Sequence, residues 1–158
     1  MAARRPAFRV ETVAVEARVA ASPARCWRAL TAETDRWWPR EVRSIPGARM
    51  RIEPRVGGRF LEDRGGGRGL LWYHVLGVDP GKALRLAGDL SPEWGGPARL
   101  LTKIAILPEG KGAVVRLEEV VAGRVAPPLL RALRDGWESV FRVSFKAWVE
   151  GKAQRGGR

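Results

Sequence analysis

The chain has 158 residues and 45% hydrophobic residues, enough apolar material for a packed core, which excludes disorder along its whole length. Its 29 Lys and Arg against 17 Asp and Glu give a net charge of +12, a balance that raises nucleic acid as a partner through counterion release from phosphates. The one cysteine, Cys26, excludes an intrachain disulfide and fits a reducing compartment; with the one histidine, His74, it falls short of a four-ligand zinc site, so no metal and no cofactor is expected.

The N-terminal residues are basic, but Glu11, Glu16 and Arg18 interrupt any apolar stretch that would make a signal core. Nothing reaches the roughly 18 apolar residues of a membrane span, so the expected location is the cytoplasm. Residues 8–20 alternate, with Val13, Val15, Ala17 and Val19 on one face and Ala14, Glu16 and Arg18 on the other. That period of two predicts a half-buried strand. Ser22-Pro23 supplies an N-cap and a first-turn proline, and Cys26, Trp27 and Leu30 supply the apolar stripe of a helix through about Ala32. Asp35–Pro39 predicts a second short helical turn carrying the adjacent Trp37 and Trp38.

Strand and turn signals follow from about Arg49 to Val121. Met50 and Ile52 alternate with charged residues, and Val56-Gly57-Gly58-Arg59-Phe60 marks a tight reversal into a strand through Glu62. A glycine-rich loop over 64–69 leads to a strand over Leu70–Val78, which Asp79-Pro80-Gly81 ends. Strands at Ala83–Leu90, Arg99–Leu107 and Ala113–Val121 come next. Pro127-Pro128 opens the longest helix, to about Glu150, with Leu130, Leu133, Trp137, Val140, Phe141, Ser144 and Trp148 along one stripe. Gly136 stands in mid-helix, where glycine costs about 1 kcal/mol relative to alanine. Residues 8–150 read as a single domain, with 1–7 and 151–158 as short, basic, flexible termini.

This order predicts an α+β helix-grip fold: a curved antiparallel sheet of about seven strands, two short helices, and a long C-terminal helix enclosing a cavity. A curved sheet and a straight helix diverge, and the space between them suits a small apolar molecule. Five of the seven tryptophans, Trp27, Trp37, Trp38, Trp72 and Trp137, fall on elements around that space.

Several segments carry a family resemblance. Ala21-Ser-Pro-Ala-Arg-Cys-Trp-Arg-Ala-Leu30, Arg36-Trp-Trp-Pro39, Ile52-Glu-Pro-Arg-Val-Gly-Gly-Arg-Phe60, Leu76-Gly-Val-Asp-Pro80 and Gly136-Trp137 follow one another in the family's order. Together they resemble the START / Bet v 1-like (SRPBCC) superfamily, in its Hsp90-ATPase-activator-homologue and polyketide-cyclase-like branch, over roughly residues 10–150. The resemblance implies an internal cavity for hydrophobic or amphipathic small molecules. It also implies a superfamily of lipid and hormone binders and cyclases, whose shared fold does not choose the activity.

For the site, Trp37 and Trp38 stand where the cavity mouth is expected. Trp72 and His74 share one face of their strand, Tyr73 and Val75 the other; the expectation places Trp72 and His74 inward. Trp137 and Phe141 face the sheet from the helix. The predicted ligand-binding set is therefore Trp37, Trp38, Phe60, Trp72, His74, Trp137 and Phe141. His74 and Tyr73 are the candidates for acid–base catalysis. Cys26, on an apolar stripe, is structural; Glu118 and Glu119 project to opposite faces and form no dyad; Glu53 pairs with an arginine near its strand end.

The leading reading is binding of a hydrophobic small molecule or lipid without chemistry. The alternatives are a cyclase- or hydrolase-like enzyme in the same cavity, and a chaperone-type protein-interaction or basic nucleic-acid-binding module. The basic residues are spread along the chain, and no nucleic-acid-binding motif is present, so no specific nucleic acid is expected, only weak contact with an anionic surface. Monomer and homodimer stay open.

Overall fold

In the computed structural model, which describes residues 6–152, seven strands form one antiparallel sheet in the order β1-β7-β6-β5-β4-β3-β2. They are β1 (Phe8–Val19), β2 (Arg49–Ile52), β3 (Arg59–Gly65), β4 (Arg68–Asp79), β5 (Ala83–Leu90), β6 (Ala98–Glu109) and β7 (Gly112–Arg124). From β2 to β7 each strand pairs with the next in the chain. Only the β1–β2 connection crosses from one sheet edge to the other, and it carries α1 (Pro23–Ala32) and α2 (Thr34–Trp37). The C-terminal helix consists of α3 (Pro127–Glu138), a π-helical stretch over Ser139–Phe145, and α4 (Lys146–Val149). The curved sheet and this helix make the α+β helix grip that the order of elements predicts.

The local reasons follow the sequence closely. Ser22 Oγ accepts the Arg25 amide at 3.1 Å and so caps α1, with Pro23 in the first turn. In β1 the predicted face is buried: Val13, Val15, Ala17 and Val19 are all at most 5% exposed. Glu53 holds Arg59 at 2.7 Å beside the β2–β3 reversal. Cys26 is buried, and burial pushes its thiol up to about 11, so it stays a protonated packing group at neutral pH.

Two phases differ from the sequence reading, each for a geometric reason. On β4, Leu71 pairs with Leu61 and Tyr73 with Phe60, which leaves Trp72 as the extra residue of a β-bulge. The bulge resets the alternation. Tyr73 and Val75 are buried, and His74 faces solvent instead of the interior, correcting its expected inward placement. Gly88 on β5 is what lets β4 sit this way, because a Cβ there would run into the Trp72 carbonyl and the Tyr73 ring. In the C-terminal helix, the π-helical stretch advances the buried stripe by a residue. Phe145 and Val149 are buried, where the regular spacing puts Ser144 and Trp148.

The termini predicted to be flexible lie outside the described residues, apart from Pro6, Ala7, Gly151 and Lys152. Among the described residues no helix is long and apolar enough to cross a membrane.

Candidate functional site

Where the helix lies over the sheet, two buried carboxylates fix the walls of the remaining space. Glu119 of β7 is 0% exposed, and three neutral donors converge on it. The Tyr73 and Thr102 hydroxyls each donate to Oε2 at 2.6 Å, and the Trp137 indole N–H donates to Oε1 at 3.1 Å. A buried carboxylate persists only when such donors replace its lost water. Here they also tie β4, β6, β7 and α3 to one point, which sets the Tyr73 and Trp137 rings. Burial, then the charge of Glu119, pushes the Tyr73 phenol well above its ordinary value. Tyr73 therefore remains a protonated donor, committed to Glu119.

Glu62 of β3 is also 0% exposed. It accepts the backbone amides of Ser44, at 2.9 and 3.0 Å, and Ile45, at 2.7 Å, together with the Trp72 indole N–H at 3.0 Å. The segment after α2 is thus held against the sheet by its backbone. Arg43 braces the same segment, donating to the Trp38 carbonyl at 3.2 Å and the Ala48 carbonyl at 2.9 Å. The effect is to hold Trp38 and Val42 over the space, while Trp72 stands beside them on its bulge.

Between these anchors lies an apolar pocket of about 130 Å³. Trp38 and Val42 line it from the post-α2 segment, Phe60, Trp72 and Tyr73 from β3 and β4, and Leu133, Gly136, Trp137 and Val140 from the helix. The volume is close to the roughly 150 Å³ of cavities that hold benzene, and below the 300–1,000 Å³ of sites for drug-sized ligands. Behind the pocket, rings pack among the aliphatic side chains of the core. Trp37 packs edge-on against Phe145 at 4.9 Å and donates its indole N–H to the Ala29 carbonyl at 2.8 Å. Phe141 stacks on Trp137 at 5.7 Å.

Of the predicted ligand set, Trp38, Phe60, Trp72 and Trp137 come together on the pocket. Trp37 and Phe141 pack behind it in the core, and His74 is on the opposite face of the sheet. Of the two candidates for acid–base work, His74 is therefore remote from the pocket and Tyr73 is bound to Glu119. The sequence reading considers Glu119 only as half of a dyad with Glu118 and gives Glu62 and Thr102 no role in the site. The signal was present: Glu119 shares its strand face with Leu117 and Val121, and Thr102 shares its face with Leu100 and Ile104, all buried. A polar side chain in an inward phase implies a partnered polar group inside. Among the described residues, no group of three or more His, Cys, Asp or Glu side chains is placed to hold a metal ion.

Gly136 gains a meaning from this geometry. An added Cβ would meet no heavy atom within 4 Å, and the residue lines the pocket, so its missing side chain leaves the space open.

The family model described as "Activator of Hsp90 ATPase homolog 1-like protein" matches residues 20–150. No curated protein sequence matches significantly. Among solved structures, protein MLL2253 from Mesorhizobium loti is similar at 25% identity, with a TM-score of 0.62 over 94% of this chain and 100% of that one. The Aha1 dimer from Colwellia psychrerythraea is similar at 17% identity and a TM-score of 0.62, over 90% of this chain and 98% of that one. Ara h 8.0201 is similar at 12% identity and a TM-score of 0.63, over 89% of this chain and 98% of that one.

Proposed function

The chain belongs to the Activator of Hsp90 ATPase homolog 1-like family of the SRPBCC (Bet v 1-like) superfamily, and we propose that it binds a small hydrophobic molecule in the pocket under its C-terminal helix. The bound group is a single aromatic ring or a short branched apolar chain, because the pocket volume is about 130 Å³ and the polar ends of Tyr73 and Trp137 are already spent on Glu119. An amphipathic ligand leaves its polar part outside. The role is binding without chemistry: the one histidine is on the far face of the sheet, and Tyr73, the hydroxyl on the lining with a carboxylate beside it, is kept protonated by its burial and by the charge of Glu119.

The observation that carries this reading is Gly136. A helix interior tolerates glycine at a cost of about 1 kcal/mol relative to alanine, and here the missing side chain holds open an aromatic-lined space. The test is saturation-transfer NMR with toluene and naphthalene as probes on three proteins. The unmodified chain is expected to bind at least toluene. Gly136→Leu, whose Cβ has open space and whose longer side chain takes up pocket volume, is expected to weaken toluene at least about tenfold, equivalent to about 1.4 kcal/mol. Gly136→Ala retains measurable binding while raising stability by up to about 1 kcal/mol through helix propensity. Equal binding by Gly136→Leu and the unmodified chain would refute the pocket as the site.

A further inference from the structure

β1 occupies one edge of the sheet and, among the described residues, has no strand on its outer side. The opposite edge is made by β2, only 4 residues long, whereas β1 has 12. A long bare edge is a template for pairing with another chain, and proteins shorten, charge or cover such edges. Here only the C-terminal half is covered. Arg142 Nε donates to the Glu16 carbonyl at 2.9 Å, Lys146 Nζ donates to the Arg18 carbonyl, and the Ala20 amide donates to Glu150 Oε1 at 2.8 Å.

These contacts also reveal which residues face outward. Glu16 and Arg18 direct their carbonyls away from β7, and backbone groups alternate sides along an antiparallel strand. Phe8, Val10 and Thr12 therefore direct their N–H and C=O groups to the uncovered half of the edge. Two of their side chains are large, apolar and in water: Phe8 is 66% and Val10 65% exposed.

We propose that this half-edge pairs with the same half-edge of a second copy of the chain, antiparallel, about a two-fold axis at Val10. In that register Val10 faces Val10 of the second copy, and Phe8 faces its Thr12, as hydrogen-bonded pairs. Arg9 then stands opposite Glu11 of the second copy, and Glu11 opposite its Arg9. These are non-hydrogen-bonded pairs, in which side chains approach most closely. Shifting the axis to Thr12 would instead put Glu11 opposite Val13, so the charges select the register. Within one copy the ion pair is poor: Arg9 Nη1 and Glu11 Oε1 are 4.0 Å apart, and the buried Arg9 Nε has no hydrogen-bond partner. The pairing ends where Arg142 starts to cover the edge and where Pro6 of the second copy lacks an N–H to donate.

The test is sedimentation velocity over a concentration series, on the full chain and three charge variants, with circular dichroism to check the fold of each. The full chain is expected to dimerise reversibly. Arg9→Glu and Glu11→Arg each place like charges opposite one another twice and are expected to weaken the dimer by at least about tenfold. The double variant Arg9→Glu/Glu11→Arg restores opposite charges and is expected to recover most of the affinity. In parallel, Val10→Cys is expected to form a symmetric intermolecular disulfide on mild oxidation, while the buried Cys26 stays silent. A full chain that stays monomeric into the millimolar range overturns the proposal, as does a dimer that neither single reversal weakens. Toluene binding by the monomeric variants is expected to be unchanged, so the two proposals fail separately.

Discussion

Glu119 accepts three hydrogen bonds from buried groups. Truncation to alanine strands the Tyr73 and Thr102 hydroxyls and the Trp137 indole N–H together. Each buried unpaired donor costs about 1–3 kcal/mol, and release of the carboxylate from its own desolvation returns part of that. We expect Glu119→Ala to destabilise the protein by roughly 3 kcal/mol in denaturant unfolding. Tyr73→Phe, which removes one donor to a carboxylate, is expected to cost about 1.5–3 kcal/mol. A loss for Glu119→Ala smaller than for Tyr73→Phe would show that the network is not what fixes the pocket wall. His74→Ala offers the contrast. With its side chain on the far side of the sheet, it is expected to leave toluene binding unaltered.

The C-terminal helix is held to the rest of the fold by carboxylates at its far end. Glu33, just after α1, accepts the Trp148 indole N–H at 2.6 Å and the Arg25 guanidinium at 2.9 Å. Burial would raise its carboxyl, but the hydrogen bonds from Trp148 and Arg25 and the charges of Arg25 and Arg28 outweigh that and hold it below the usual carboxylate range. Glu150 is held down as well, first by the Ala20 amide and then, against the effect of burial, by Lys146 and Lys152. A carboxyl with a lowered value in the folded state binds fewer protons than it does unfolded. Its stabilisation is complete above the unfolded value, about 4.3, and is lost as pH falls through the folded one. Denaturant unfolding between about pH 5 and pH 2 should therefore show stability declining with acid. The Glu33→Gln/Glu150→Gln variant is expected to start lower at neutral pH and decline less steeply. Parallel slopes for the two proteins would count against these anchors.

The same elements mark what a sequence can convey. β1 was legible because Val13, Val15, Ala17 and Val19 alternate without interruption, and α1 because Ser22-Pro23 states its start chemically. The inward residues of β4 were not, because a bulge at Trp72 depends on the register with β3 and on the room Gly88 leaves, both long-range facts. The exchange of Ser144 and Trp148 for Phe145 and Val149 has the same origin: a π-helical stretch is set by packing, not by local periodicity. Trp38, Phe60, Trp72 and Trp137 could be placed around one space from their elements alone. That Trp37 and Phe141 pack behind it required the ring geometry.

At the scale of the whole molecule, the charge of +12 must be reconciled with a surface on which many arginines already have partners. Arg18, Arg51, Arg59, Arg99 and Arg116 each stand within 3.2 Å of a carboxylate oxygen. Exposed pairs of this kind contribute about 0–1 kcal/mol apiece and act over short distances. The unbalanced charge acts over tens of ångströms as self-repulsion, which opposes the compact state. Salt separates the two, because the Debye length falls from about 30 Å at 0.01 M to about 8 Å at 0.15 M. Pairs in contact are only partly screened over that range, whereas repulsion across the molecule is largely removed. Thermal unfolding of dilute protein in sodium chloride is therefore expected to shift upward over that range by roughly 2–4 °C, the equivalent of about 1 kcal/mol for a chain of this size. A downward shift would mean that the ion pairs outweigh the net charge, and that the excess arginines are a stabilising surface network and not a uniform positive field.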